Sequence, residues 1–111
     1  MRTIIGLVER VTLIGATAQK TVSARIDTGA SRSSIDRSLA RSLGVGRAIK
    51  LRVVKSAHGS AVRPVVRVRV RVAGRRFLAS FTVADRSHMK YRVLIGRNIL
   101  RKGFLIDPMR T

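Results

Sequence analysis

From Val66 to Val72 the chain alternates without a break: Val66, Val68, Val70 and Val72 fall on one side of an extended backbone and Arg67, Arg69 and Arg71 on the other. A helix would scatter these residues over all its faces, so the two-residue period predicts a strand with one face in a core and one in water. Sheets wet on one side are characteristic of antiparallel and barrel architectures. Pro64, just upstream, has no amide to give a ladder and fits only the edge or the start of such a strand.

The rest of the chain reads as shorter pieces of the same kind. Residues 3–8 and 11–14 are apolar and suggest one strand bent or bulged at Glu9-Arg10; the chain turns over 15–19 and returns along 21–26, giving an N-terminal hairpin. Residues 33–35 are extended. Asp36 is then placed to cap a short helix whose Leu39, Ala40 and Leu43 share an inward face, and Gly44 ends it. Strands at 51–54 and 62–72 bracket the small, polar stretch 55–61, the water-exposed tip of a hairpin. Ala73-Gly74 turns into a strand at 76–83, a loop covers 84–90, and strands follow at 91–95 and 104–106. Seven or so short strands, one or two short helices and no βαβ rhythm predict an all-β, barrel-like fold.

With 111 residues, the chain is expected to form one domain, 1–111, burying roughly two thirds of its unfolded surface. It has no cysteine, which excludes disulfides and thiolate metal sites and fits a reducing cytoplasm. No apolar run approaches the roughly 18 residues that span a bilayer, and Arg2, Glu9 and Arg10 interrupt the first apolar segment too early for a secretory signal. The expected location is the cytoplasm, with no membrane partner.

Charge is the extreme feature: 24 Lys and Arg against 5 Asp and Glu, a net +19. Such a chain attracts polyanions and resists self-association at low salt. The charges are nevertheless dispersed, and only four aromatic residues, Phe77, Phe81, Tyr91 and Phe104, are available to stack on bases, which argues against a dedicated single-strand binder.

One carboxylate is placed differently from the others. Val22, Ala24 and Ile26 share a strand face that leads into Asp27-Thr28-Gly29-Ala30, so Asp27 is delivered to the lip of the core, with a hydroxyl beside it and a glycine that brings backbone amides close. A carboxylate so held can do acid/base work on a bound water; alone, the same residues make a surface turn. Sixty-nine residues on (96 minus 27), Val93-Leu94-Ile95-Gly96-Arg97-Asn98-Ile99-Leu100 reads as a buried strand, a glycine and a short helix.

The pair of motifs resembles the retropepsin family of aspartic proteases, over most of the chain. The resemblance implies a closed retropepsin-like β-barrel with Asp27 as catalytic residue, Thr28, Gly29 and Ala30 supporting its turn, a flap at Ala57, His58 and Gly59 that closes on substrate, and Gly96, Arg97 and Asn98 as a structural motif. Aspartic proteases use two carboxylates sharing a proton, and this chain has one Asp-Thr-Gly, so a homodimer is implied. At ~3 Å and an effective dielectric of about 20, two carboxylates repel by roughly 5 kcal/mol, so one proton stays between them. The Thr28 hydroxyl is implied to bond across the dimer axis. Ser31 stands where viral members carry an acidic partner for the arginine of Gly-Arg-Asn, which leaves Arg97 without that partner, and the flap lacks the glycine-rich tip of the viral enzymes.

A closer similarity, from Arg63-Pro64-Val65-Val66 through Asp85-Arg86-Ser87-His88-Met89-Lys90-Tyr91 to the Gly96 motif, is to small prokaryotic retropepsin-like proteins often labelled ATP-dependent zinc proteases. The residues themselves supply no metal or cofactor site: His58 and His88 lie on different loops, and there is no His-Glu-x-x-His and no phosphate-binding loop. The expected activity is hydrolysis of peptide bonds in extended peptides or unfolded proteins, with acidic residues favoured by the arginines, including Arg67, Arg69 and Arg71 if their face borders the cleft. Two other readings stay open. One is a non-catalytic retropepsin-like binding module in which Asp27 only caps its turn. The other is a basic nucleic-acid-binding barrel, whose oligonucleotide affinity would fall linearly with the logarithm of salt.

Overall fold

The computed structural model describes residues 2–111, and of Ser56 only the backbone. Its elements are β1 (Thr3–Ile5), β2 (Val8–Ile14), β3 (Gln19–Ile26), β4 (Ser33–Asp36), α1 (Arg37–Leu43), β5 (Lys50–Ser56), β6 (Gly59–Val72), β7 (Arg75–Ala84), β8 (Val93–Ile95), α2 (Arg97–Leu100) and β9 (Phe104–Ile106). Six strands run in the order β2-β3-β8-β4-β7-β6, and β6 pairs back onto β2, so the sheet closes into a barrel. The fold is the mostly-β, closed barrel that the strand pattern predicts.

Alternation along β6 decides where the core lies. Val66, Val68, Val70 and Val72 are each at most 4% exposed, while Arg67 and Arg69 stand in water. They meet Leu13 and Val11 of β2, Phe81 of β7, Ile35 of β4 and Ile95 of β8. Each such side chain contributes about 1.5–3 kcal/mol by leaving water, and their shared interior fixes the register, since a slip by one residue would turn the arginines inward. The first half of β6 is different. From Gly59 to Val65 it pairs with β5, and β7 joins only at Val65, so Pro64 stands opposite Leu51 where β6 has a partner on one side.

Asp36 caps α1 through its carboxylate, which accepts the Leu39 N–H at 3.3 Å; Leu39, Ala40 and Leu43 are buried, and Gly44, in the left-handed region at φ 68°, closes the helix. The turn Ala73-Gly74 is left-handed at both residues, the geometry that matches the twist of a two-residue hairpin.

Two expectations need correction. The N-terminal segment breaks at Gly6-Leu7, not at Glu9-Arg10. Glu9 and Arg10 lie within β2, because polar residues on a wet face do not interrupt a ladder; the Glu9 carboxylate instead accepts the Gly6 N–H at 2.8 Å across the break. Ahead of it, β1 pairs in parallel with β9 as a separate two-stranded sheet. The strand expected over 91–95 is confined to Val93–Ile95, since Arg92 turns its carbonyl to the Asp36 N–H. No helix among the described residues is long and apolar enough to cross a membrane.

Candidate active site

The turn that carries Asp27 joins β3 to β4, two strands that are neighbours in sequence but not in the sheet. Strand β8 lies between them, parallel to β3 and antiparallel to β4. The loop must therefore bridge over the end of β8, and β8 together with α2 holds it from beneath. The Asp27 N–H donates to the Ile95 carbonyl at 2.9 Å, the Arg97 N–H to Ala30 at 2.8 Å and the Asn98 N–H to Ser31 at 3.2 Å. Behind Asp27, the Ile26 N–H reaches the Leu7 carbonyl at 3.0 Å, which ties the end of β3 to the link between β1 and β2.

Asp27 is half-buried. One carboxylate oxygen accepts the Gly29 N–H at 2.9 Å. Gly29 matters here through space rather than backbone angle: its φ is not in the left-handed region, but a Cβ would come within 3.2 Å of that same oxygen and crowd the carboxylate. Gly96 is packed harder. A Cβ there would stand 2.5 Å from the Arg32 carbonyl oxygen and 2.9 Å from that of Ala30, so only glycine lets the loop settle onto the start of α2.

The Gly-Arg-Asn residues are brought together with the Asp27 turn. The Arg97 guanidinium donates to the Thr28 carbonyl at 2.9 Å, so the arginine whose acidic partner is replaced by Ser31 binds the loop backbone instead. The Asn98 side chain accepts from both the N–H and the hydroxyl of Ser33, at 2.9 and 2.8 Å, and donates to the Ser80 carbonyl at 2.9 Å. The Ser33 hydroxyl in turn accepts the Gly96 N–H at 3.0 Å. Sequence reasoning missed Ser33, which is fully buried; the available signal was two serines, Ser33 and Ser34, in a strand otherwise destined for the core.

A second cluster stands behind the loop. Asp36, only 1% exposed, accepts from the Arg92 guanidinium at 2.6 Å, the Ser38 hydroxyl at 2.6 Å and the Arg86 N–H at 2.8 Å; Arg92 also donates to the Ser38 hydroxyl oxygen. Burial pushes the Asp36 carboxyl up, but the bonds from Ser38, Arg92, Arg86 and Leu39 together outweigh it and hold the group well below the usual carboxylate range. Arg86 is itself half-buried. Burial and then the charge of Arg63 push its guanidinium down, against the pull of Asp36 and Asp27.

Between the Asp27 loop and the β5–β6 hairpin lies a cleft of ≈390 Å³. Its loop side is Gly29 to Arg32, its hairpin side Arg52 to Lys55, and Thr82 adds to the wall. Ala57 and His58 form the exposed tip turn and are followed by Gly59; none of the three lines the cleft. Nor do Arg67, Arg69 and Arg71. Their strand face borders hollows elsewhere on the barrel, and the cations of the cleft are Arg32, Arg52 and Lys55. His88 is exposed, 3.9 Å from Asp85.

Solved structures share this architecture. A Legionella pneumophila protein of unknown function (DUF785) is similar over 100% of this chain and 97% of its own, with 22% identity and a TM-score of 0.68. The EIAV protease bound to the inhibitor HBY-793 matches over 86% of this chain and 85% of its own, with 21% identity and a TM-score of 0.69. The simian foamy virus protease in solution matches over 85% and 91%, with 18% identity and a TM-score of 0.63. At these identities the likeness establishes the fold. No curated protein sequence matches the chain. The profile of the RimB-like family, described as retropepsin-like aspartic endopeptidase RimB, matches residues 39–111, a stretch that starts after the Asp27 turn and contains Gly96-Arg97-Asn98. With two thirds of its length so matched and the Asp27 turn seated on that motif, the chain belongs to the RimB-like family of retropepsin-like aspartic endopeptidases.

Proposed function

We propose that the protein is an aspartic endopeptidase that works as a homodimer, each protomer contributing one domain, 1–111, and one Asp27. The observation that carries this reading is the seating of Asp27: a half-buried carboxylate oriented by the Gly29 N–H, in a loop whose next residues, Gly29 to Arg32, form one wall of the cleft facing the β5–β6 hairpin. One such carboxylate is half of a general acid/base pair. A second copy related by a two-fold axis supplies the other half, so that one Asp27 draws a proton from water while the other gives a proton to the scissile carbonyl oxygen. The exposed Thr28 faces the partner turn in this arrangement, and its hydroxyl braces the pair.

The substrate is an extended peptide that adds to the hairpin as a strand, so that main-chain bonds supply affinity and alternate side chains meet the walls. Val53 and Val54 offer apolar contact there, and Arg32, Arg52 and Lys55 favour acidic residues flanking the cut. No cofactor takes part.

Replacing Asp27 by Asn keeps the shape and removes the titrating group. Peptide cleavage is expected to fall by at least about a thousandfold with the fold intact, and a statine-type transition-state mimic is expected to inhibit the wild type. Specific activity is expected to fall on dilution, and added salt to strengthen pairing by screening the +19 charge of each chain. Full activity in Asp27→Asn, or a dilution series with unchanged specific activity, would sink this assignment.

A further inference from the structure

Away from the cleft, the outer face of β6 and β7 carries three adjoining hollows of ≈440, ≈300 and ≈200 Å³ that all have Leu78 in their walls. Together they form one groove. Its cations are Arg67, Arg69, Arg76, Lys50 and Lys102, all exposed, and none of the chain's five carboxylates lines it. The acidic residues are engaged elsewhere, for example Glu9 at Gly6 and Asp36 at Arg92. The floor is apolar: Leu78 is 55% and Ile49 50% exposed, and Ile14 lies opposite Arg69 on β2.

Like charges set side by side with apolar residues between them cost a folded chain stability through mutual repulsion, unless something of opposite charge settles on them. Arg67 and Arg69 are two residues apart on one strand face, about 7 Å, which is the spacing of alternate side chains on an extended peptide. Nucleic acid fits less well. Phe77, the aromatic residue in the wall, is already covered by the Arg75 guanidinium, 5.1 Å from its ring centroid, and is not free to stack on a base.

The groove and the cleft are neighbours along two strands. β5 contributes Lys50 to the groove and Arg52 to Lys55 to the cleft, while β7 contributes Ser80 to the groove and Thr82 to the cleft. We propose that this groove is a docking site for an acidic, extended segment of the polypeptide substrate, lying outside the bond-cutting cleft and feeding into it. The word substrate rests on the peptidase reading above; the groove's affinity for an acidic segment does not.

The test uses Asp27→Asn protein, so that nothing is cut, and a short labelled peptide of alternating glutamate and alanine followed by fluorescence anisotropy at two salt concentrations. The double substitution Arg67→Ser with Arg69→Ser is expected to weaken binding about tenfold and flatten its salt dependence, whereas Arg10→Ser with Arg41→Ser, the same charge loss off the groove, is expected to change it by less than about twofold. Leu78→Asp leaves every cation in place and is expected to weaken binding about tenfold as well. Equal weakening by the two arginine pairs would reduce the effect to net charge and overturn the proposal. So would a single-stranded oligonucleotide that binds more tightly than the peptide and depends on the same two arginines. A double variant Arg67→Ser with Arg69→Ser that, in protein with Asp27 intact, still cleaves an acidic polypeptide at the wild-type rate sinks the docking site alone, and groove binding by a wild-type protein that cleaves nothing sinks the peptidase reading alone.

Discussion

The loop that carries Asp27 and the hairpin that forms the facing wall of the cleft are stabilised in opposite ways. The loop is bonded backbone to backbone at Ile95, Ala30 and Ser31, and its support includes the fully buried Ser33 and Ile95. The hairpin has its own ladder between β5 and β6, but Leu51 is 69%, Val62 63% and Val53 58% exposed. These three residues share one face, while Arg52 and Val54 on the other are only half-buried; a two-stranded ladder packed so lightly is marginal in water and opens locally at little cost. One half of the site is therefore held rigid by the chain itself. The other half leaves its apolar residues exposed, as a closing flap would in the reading proposed above.

Three substitutions break or sharpen this contrast. Asp36→Asn should have the largest effect, about 3 kcal/mol of stability, because it weakens a helix cap and a charge-assisted bond together in the rigid half. Its pH dependence has a definite sign. The carboxyl is held below its ordinary 3.8 in the folded state, so its contribution is complete above that value and is lost as pH falls beneath it. The gap in urea midpoint between wild type and Asp36→Asn should be full at about pH 6 and narrow below about pH 4; a gap that widened in acid would contradict the bonding described.

Ser33→Ala should come next, at about 1–3 kcal/mol, since it leaves the buried Gly96 N–H without its acceptor. Its value lies in a second readout. If the bonds of Ser33 to Gly96 and Asn98 orient Asp27, kcat should fall while KM stays near the wild-type value, whereas a parallel change in both would make Ser33 a matter of stability alone. Leu51→Ala with Val62→Ala should cost least in thermal or urea unfolding, under about 0.5 kcal/mol, as expected for exposed sites. The same pair should raise KM for long peptides more than for short ones. A large loss of stability from it would mean that the hairpin is already packed and the contrast drawn above is wrong.

Much of the barrel was legible because it depends on short-range pattern. The β6 alternation, the Asp36 cap, the Gly44 stop and the Ala73-Gly74 turn each need only a few neighbouring residues to specify them. The long-range bonds of Asp36 and Ser33 were not legible in the same way. Asp36 meets Arg86 and Arg92 across 50 and 56 residues, and nothing local distinguishes those two from the many other arginines on wet faces. Ser33 was passed over because a serine in a strand carries no outward sign of a buried partner 65 residues away. Glu9 and Arg10 misled in the other direction, since charge was read as a break where the physical break is the close approach of Gly6 to Arg110. The cations of the cleft could not be chosen from composition at all, because which strand face borders a hollow is a property of barrel closure.

The sheet formed by β1 and β9 sets the order in which the site can come into being. Thr3 pairs with Phe104, and closing a loop of that length costs about 4 kcal/mol of chain entropy before any contact repays it. On a growing polypeptide, β1 has no partner until the whole barrel between them has been made. Leu7, whose carbonyl accepts the Ile26 N–H at the end of the strand entering Asp27, donates its own N–H to Arg110, which follows β9 in the chain. The support of the acidic turn is thus among the last things to assemble, and a half-made chain does not yet hold the group with which, in the reading proposed above, it would cut its neighbours.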